Sequence, residues 1–316
     1  MIILTKQGVH NMKKWLTTLT ASSLLVLGGC GDVGEKEDKG GGESSGEALE
    51  VAVIPAQSAG EMEDGLDALE SSLNESMDRE VEVDHYPSYN AVVEALNFGH
   101  IDLAYLGPLT YVIANEESGA EAIVTQEIDG QPYYYSYIIS HVDQPWDSLD
   151  EMLEQAGEVD FAFGSVSSTS GSLIPGLELR DRGVFESEED HDFASVRYTG
   201  SHDVTANAVA NQEVEAGAID SAIYNELVDE GVIDDSEIKT IWESEQLYQY
   251  PWAVPEGMDE ETKQQFQDAF TSIEDEEILE IFGGASSFVK TDHSNYESIA
   301  QAAEDFGMLN MESIED

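Results

Sequence analysis

Three consecutive hydroxyl side chains follow a buried strand in the most informative segment of the sequence. An apolar run over residues 159–164 leads into Ser168, Thr169 and Ser170, and Gly171 and a helical pattern come next. In the first turn of a helix the backbone N–H groups have no intrahelical partner, and the positive end of the helix dipole faces outward. Such a segment can bind an oxyanion, with the hydroxyl groups as neutral donors. A plain N-cap loop is the alternative, since Ser and Thr also favour helix starts for structural reasons.

Two further polar residues stand near the ends of predicted strands. His202 follows the strand predicted at 194–198, in a turn beside the hydroxyl loop, and its ring can donate to an anion in either protonation state. A structural or surface histidine is the alternative. Asp220 ends the strand predicted at 215–219. Its carboxylate could accept the proton of a monohydrogen phosphate and exclude fully ionised sulfate, or it could simply cap the next helix.

Two tyrosines in the first half of the chain could contribute phenol O–H groups. Tyr89 opens a predicted helix just after Pro87, and Tyr105 lies in the strand predicted at 101–106. Ordinary packing explains either residue equally well, because a buried tyrosine needs only one hydrogen-bond partner.

Catalysis is the competing function for these residue types. Ser168 or Ser170 together with His202 and Asp220 would supply the components of a hydrolytic triad. Neither Ser168 nor Ser170 stands in a Gly-x-Ser-x-Gly nucleophile elbow. The sequence therefore favours a binding protein over an enzyme.

The elements that position these side chains alternate between strands and helices. The predicted strands lie at 49–54, 81–85, 101–106, 133–139, 159–164, 194–198, 215–219, 238–243 and 250–254, and the main predicted helices at 60–77, 89–98, 204–211, 259–282 and 294–306. This β-α-β-α-β spacing predicts parallel sheets covered by helices. We expect an α/β fold of two lobes, 48–138 with 245–316 and 139–244, joined by two hinge crossings around a ligand cleft.

The N-terminal segment predicts export and attachment to a membrane. Lys13 and Lys14 precede an apolar run over 16–27, and small residues then lead to Cys30, which resembles a bacterial lipobox. We expect residues 1–29 to be a signal peptide, Cys30 to be lipidated and 30–47 to be a flexible tether. An ordinary signal peptide with an incidental cysteine is the alternative. Cys30 is the chain's single cysteine, which excludes disulfides and thiolate metal clusters.

The charge balance excludes several classes of partner. The chain carries 67 acidic and 12 basic residues, a formal net charge of −55. Nucleic acid and anionic membrane surfaces are poor partners for such a field. The acidic runs are typical of solvated faces rather than metal sites, and a salty habitat would screen them. We expect no metal and no cofactor.

Three stretches together resemble one known family, the phosphonate and phosphate ABC-transporter substrate-binding proteins. They are residues 89–108, 168–175 and 200–217, and the first of them ends in the segment from Asp102 to Pro108. The order and spacing of the three stretches are those of the family. The resemblance implies the two-lobed periplasmic-binding-protein fold, with the oxyanion held by Ser168, Thr169, Ser170, His202 and Tyr89. It further implies a lipid-anchored monomer on the extracytoplasmic face, with an ABC permease and ATPase as partners.

The chain departs from the family at two positions. Members that bind aminoethylphosphonate carry carboxylates near the positions of Ala222 and Tyr250 to hold the ligand's ammonium group, whereas both residues here are uncharged. Tyr250 therefore joins the candidate ligand-binding residues, and we expect phosphate, phosphite or a small alkylphosphonate as the ligand. The remaining alternatives are a lipoprotein that senses its ligand without transport, and a binding protein for a different small anion.

Overall fold

The computed structural model describes residues 48–77 and 79–310. Its strands are β1 Leu49–Val53, β2 Val81–His85, β3 Leu103–Tyr105, β4 Glu121–Glu127, β5 Tyr133–Tyr134, β6 Ser136–His141, β7 Asp160–Phe163, β8 Phe185–Ser187, β9 Asp190–His191, β10 Ser195–Tyr198, β11 Ala216–Asp220, β12 Ile238–Glu243, β13 Leu247–Tyr248, β14 Pro251–Val254 and β15 Ser287–Lys290. Its α-helices are α1 Ala59–Met77, α2 Tyr89–Asn97, α3 Pro108–Ser118, α4 Leu149–Leu153, α5 Ile174–Asp181, α6 His202–Ala210, α7 Ser221–Asp229, α8 Glu260–Thr271, α9 Glu276–Glu280 and α10 Glu297–Phe306.

The first lobe is built on a mixed sheet with the strand order β15-β4-β14-β3-β1-β2. Strand β1 pairs in parallel with β2 and β3, and β14 returns antiparallel between β3 and β4. Helix α1 covers this sheet because its apolar residues recur at helical spacing on one face. The buried residues of that face include Met62, Leu66, Leu69 and Leu73.

The second lobe is built on the sheet β10-β7-β11-β6-β12. Strand β7 pairs in parallel with β10 and β11, whereas β6 is antiparallel to β11 and β12. A separate apolar cluster fills this lobe, with stacked or edge-on contacts between Phe161, Phe163 and Phe193. The two-lobed α/β fold predicted from the sequence is confirmed.

Two chain crossings connect the lobes, and a short ladder joins them. The chain leaves β4 of the first sheet through β5 and returns from β12 through β13, and β5 and β13 pair antiparallel. The single long strand predicted at 133–139 is wrong, because Tyr135 separates β5 from β6 and the two strands pair in different sheets. The predicted lobe boundary between 138 and 139 falls inside β6, and the lobe limits stay a prediction.

The predicted signal peptide, Cys30 and the tether lie outside the described residues. Within 48–77 and 79–310, the helices are all too short or too polar to span a bilayer.

Candidate anion-binding site

Several helices of both lobes begin where the lobes meet. The N–H of Leu109, at the start of α3 in the first lobe, donates to Thr169 Oγ1 of the second lobe at 2.8 Å. Ser167 Oγ donates to the side-chain oxygen of Asn90, at the start of α2. Helix starts carry unpaired N–H groups and the positive end of the helix dipole, so this region favours a bound anion.

The hydroxyl loop forms a tight cap rather than the simple loop and α-helix expected from the sequence. Ser168 Oγ accepts the N–H of Gly171 at 3.0 Å, and the N–H of Leu173 donates to the Ser168 carbonyl five residues earlier. This π-helical turn over Thr169–Leu173 precedes α5. Single π turns occur often at functional sites. A Cβ on Gly171 would lie 2.9 Å from Ser168 Oγ and 3.1 Å from the His202 ring, so the close approach requires glycine.

His202 is the first residue of α6 and is completely buried, so its predicted position in a turn, and the surface alternative, are wrong. Its Nδ1 accepts the N–H of Asp220 at 3.2 Å, which places the ring proton on Nε2. Nε2 lies 3.3 Å from Tyr250 Oη and 3.5 Å from Ser168 Oγ. Burial lowers the pKa of His202 to about 4, with the Asp203 carboxylate acting in the opposite direction. At neutral pH the ring is therefore a neutral donor that faces the other lobe.

Asp220 caps α7 and also faces the hydroxyl groups of the site. Its Oδ1 accepts the N–H groups of Ala222 at 2.7 Å and Ile223 at 3.2 Å. Burial raises the pKa of this carboxyl to about 7, against the effect of those two N–H groups and of the Tyr250 and Ser170 hydroxyls. The helix cap and the position at the cleft, which the sequence left as alternatives, occur together. Near neutral pH the carboxyl exchanges between donor and acceptor forms.

Three buried donors at this point have no hydrogen-bond partner in the described part of the chain. They are Tyr89 Oη, Tyr134 Oη and Ser170 Oγ. Burial raises the pKa of both tyrosines, so both keep their protons at neutral pH. Buried polar groups are nearly always paired, and each one left unpaired costs about 1 to 3 kcal/mol. A small anion between the lobes would satisfy all three donors.

Tyr105 differs from the other tyrosines of the site. Its Oη accepts from Gln126 Nε2 at 2.7 Å, and its ring stacks on Tyr250 with 5.5 Å between ring centroids. The ring packs in the apolar core of the first lobe. Tyr105 therefore supports Tyr250 from behind, which matches the packing alternative that the sequence left open.

Lys239 and Lys263 lie away from the site, in ion pairs with carboxylates. Lys263 pairs with Glu121 and Glu260, and Lys239 pairs with Asp147, at the protein surface. Across residues 48–77 and 79–310, no three His, Cys, Asp or Glu side chains are grouped so that they could hold a metal ion. The donors gathered between the lobes are hydroxyl groups, a neutral imidazole and helix N-termini, which suit an anion without bringing a counter-charge.

Comparison with known families identifies the protein's relatives. Residues 51–296 match the family described as ABC transporter, phosphonate, periplasmic substrate-binding protein. The chain belongs to this family. The resemblance seen in the sequence is confirmed, and with it the function as substrate-binding component of an ABC importer.

Individual family members cover most of the chain. The phosphate-import protein PhnD of Mycolicibacterium smegmatis is 29% identical over 240 residues, 73% of this chain and 73% of the relative. The phosphonates-binding periplasmic protein of Escherichia coli is 25% identical over 248 residues, 77% and 72% of the two chains. The structure of PhnD1 from Prochlorococcus marinus in complex with methylphosphonate has a TM-score of 0.73 at 22% identity, covers 83% of this chain and 98% of that one, and shows the shared fold.

Within this family member, the structure brings most of the expected residues together. Ser168, Ser170, His202, Asp220 and Tyr250 are linked by the contacts given above. Tyr89 and Thr169 lie beside them. Burial raises the pKa of Tyr89 and of Tyr134, and the nearby hydroxyl groups of Ser168 and Thr169, respectively, act in the opposite direction.

Tyr134 is the residue that sequence reasoning missed. It stands in the aromatic run Tyr133 to Tyr137, where the sequence gives no sign of which ring faces the cleft. Its position in β5, at a chain crossing, would have been a signal only once the break at Tyr135 was known.

Proposed function

We propose that this protein is an extracytoplasmic lipoprotein that binds phosphate, phosphite or a small phosphonate for import. The observation that supports this most directly is the cluster of three unpartnered buried donors, Tyr89 Oη, Tyr134 Oη and Ser170 Oγ, beside the His202 Nε2–H. A tetrahedral oxyanion offers several acceptor oxygens within a small volume, as this cluster requires. The ligands named for the relatives are phosphate, phosphonates and phosphite.

The chemistry near Ala222 and Tyr250 favours ligands without an ammonium group. Both residues are buried and uncharged, at 7% and 2% exposure. A buried ammonium group would need a carboxylate partner, and neither of these two positions supplies one. The neighbouring Asp220 carboxyl is already engaged by the N–H groups of Ala222 and Ile223. The proposed ligand is therefore an inorganic phosphorus oxyanion or a small alkylphosphonate rather than aminoethylphosphonate.

Lipidation at Cys30, a tether over 30–47, and docking as a monomer onto a permease and ATPase complete the proposal. Cys30 lies outside the described residues, and its support is the signal-like segment that precedes it. Metabolic labelling with a fatty acid, compared between the natural chain and Cys30→Ser, would test the anchor.

Calorimetric titration tests the ligand class. The purified protein is expected to bind phosphate, phosphite and methylphosphonate, to reject sulfate, and to leave the ligands chemically unchanged. Ser170→Ala should weaken binding by about 1 to 3 kcal/mol, because it removes a hydrogen bond to a charged ligand. Ser187→Ala, on the exposed part of β8, serves as the control and should bind like the natural protein. Equal affinity for sulfate, or an unchanged affinity in Ser170→Ala, would contradict the proposal.

Closure of the lobes involves hydrogen bonds that do not pass through the ligand. Asp203 of α6 accepts the N–H of Ser58, at the start of α1 in the first lobe, at 3.1 Å. The N–H of His202 donates to the Ala56 carbonyl at 3.0 Å. A carboxylate at a helix start is favourable, so Asp203 stabilises the closed arrangement specifically. The bound ligand and these two hydrogen bonds between the lobes would together shift the population toward the closed form.

Asp203→Ala is expected to weaken phosphate binding by about 1 to 2 kcal/mol without changing the order of ligand preference, because it removes the Ser58 hydrogen bond that stabilises closure. Calorimetry gives the affinity, and small-angle scattering gives the opening of the lobes with ligand present. Asp102→Ala is the matched control, since Asp102 accepts the N–H of Glu50 within one lobe at 3.0 Å. That variant should lower the melting temperature and leave the affinity alone. An affinity loss of equal size in both variants would rule out a specific role in closure.

A further inference from the structure

A small cavity lies next to the site, with residues of both lobes in its wall. It has a volume of about 10 Å³, and its lining includes Tyr105, Gln126, Asp220, Gln249 and Tyr250. This volume is close to that of a single water-sized atom. Asp220 and Tyr250 thus face both the cleft and this cavity. The cavity adjoins the cleft and has room for one further ligand atom.

Two buried glutamines line this cavity and bind each other. Gln126 and Gln249 are only 2% and 1% exposed. Gln126 Nε2 donates to Tyr105 Oη at 2.7 Å and to Gln249 Oε1 at 3.2 Å. The backbone N–H of Tyr250 also donates to Gln249 Oε1, at 3.4 Å, which fixes the orientation of that amide.

The pair leaves one acceptor and one donor without a partner. Among the described residues, Gln126 Oε1 and Gln249 Nε2 are buried and make no hydrogen bond. Turning both amides over would again leave one oxygen and one N–H₂ group unpaired, because each amide carries one of each. Buried amide groups in folded proteins are almost always paired. The cavity therefore calls for one group that both donates and accepts.

A hydroxyl group meets this requirement, and the other small substituents on phosphorus or sulfur do not. A P–OH oxygen can donate to Gln126 Oε1 or to Asp220 and accept from Gln249 Nε2. A methyl group or a P–H hydrogen can do neither, and the unprotonated oxygen of sulfate can only accept.

We propose that this cavity is a subsite for the protonated oxygen of hydrogen phosphate, and that Gln126 and Gln249 make inorganic phosphate the preferred ligand. The inference rests on the proposed function and deepens it. It assigns the choice among phosphorus oxyanions to a pair of residues behind the cleft, whereas the hydroxyl loop and His202 bind the oxygens that all these anions share.

The test compares phosphate with methylphosphonate at a pH at which only phosphate carries a hydroxyl group. At about pH 9.5, above the second pKa of all three acids, the phosphate dianion keeps one P–OH, whereas the dianions of phosphite and methylphosphonate have none. The purified protein should bind phosphate at least about tenfold more tightly than methylphosphonate at this pH, the fold-change of one hydrogen bond to a charged group. In Gln249→Leu and Gln126→Leu, phosphate binding should weaken by about the same factor, methylphosphonate binding should hold, and the preference should vanish.

Gln246→Leu is the control for these variants. Its side chain is at the surface, where Nε2 donates to Tyr135 Oη, and its loss should leave both affinities unchanged. Equal affinity of the natural protein for the two ligands, or an equal loss of both in the glutamine variants, would overturn the inference. Failure to bind any phosphorus oxyanion would instead overturn the proposed function.

A crystal structure of the natural protein with phosphate decides the matter even if the leucine variants do not fold. A ligand oxygen within hydrogen-bond distance of Gln126 Oε1 and Gln249 Nε2 would support the subsite. An ordered water there, with every ligand oxygen bound elsewhere, would overturn it.

Discussion

Replacing His202 with alanine is expected to weaken phosphate binding by about 3 kcal/mol, roughly a hundredfold. The residue has two functions in one ring. Nε2–H faces the cleft beside Tyr250 and Ser168, and Nδ1 accepts the N–H of Asp220 at 3.2 Å. Alanine removes the donor and leaves a buried backbone N–H without a partner, so the loss exceeds that of Ser170→Ala. Calorimetric titration with phosphate measures the change.

A second substitution separates the donor from the packing of the ring. His202→Gln keeps a side-chain N–H₂ group of similar reach and should recover part of the affinity. His100→Ala, in an exposed histidine after α2, is the control and should bind normally. If His202→Ala retained the natural affinity, the ligand would have to bind away from this histidine.

Asp220→Asn is expected to stabilise the unliganded protein above neutral pH by on the order of 4 kcal/mol. Burial raises the pKa of Asp220 from 3.8 to about 7 in the folded protein. Between about pH 4 and pH 7 the unfolded chain therefore loses this proton while the folded protein keeps it. Stability falls as the pH rises through that range and stays lower above it. Asparagine carries no such charge, and its side-chain oxygen can still cap α7.

Thermal or denaturant unfolding of both proteins across this pH range provides the measurement. His202 contributes an opposite trend, because its pKa is lowered to about 4 in the folded protein and the unfolded chain binds the extra proton up to about pH 6.5. The difference between the natural protein and Asp220→Asn removes that shared contribution. The difference should be near zero at pH 4, grow up to pH 7 and remain constant above it. A difference in stability that does not depend on pH would contradict a raised pKa of Asp220 in the folded protein.

The main motifs of the site could be found in the sequence because their signals are local. The buried strand β7, the hydroxyl residues Ser168 to Ser170 and the following helix occupy one continuous stretch, and helix starts have a recognisable composition. The alternation of strands and helices likewise follows from the periodicity of apolar residues. The two-lobed fold and the family were therefore within reach of the sequence.

Element boundaries show where local signals fail. The sequence predicted α6 to begin at Val204, but Ser201 has an extended backbone and His202 already belongs to the helix. The run of aromatic residues after Tyr133 reads as one strand, yet β5 and β6 pair with partners more than seventy residues away in the chain. Strand partners, rather than propensity, decide such breaks.

The sequence by itself determined the fold class, the family and the hydroxyl loop, because each depends on neighbours in the chain or on a pattern repeated along it. The tertiary structure alone decided which polar atoms remain unpaired. Tyr89 and Tyr134 come from the first lobe and the chain crossing, Ser170 and His202 from the second lobe, and Gln126 meets Gln249 only across β4 and the approach to β14. Burial and hydrogen bonding at these atoms depend on groups far apart in the chain, so the protonation of Asp220 and the chemistry of the cleft arise only when the lobes come together.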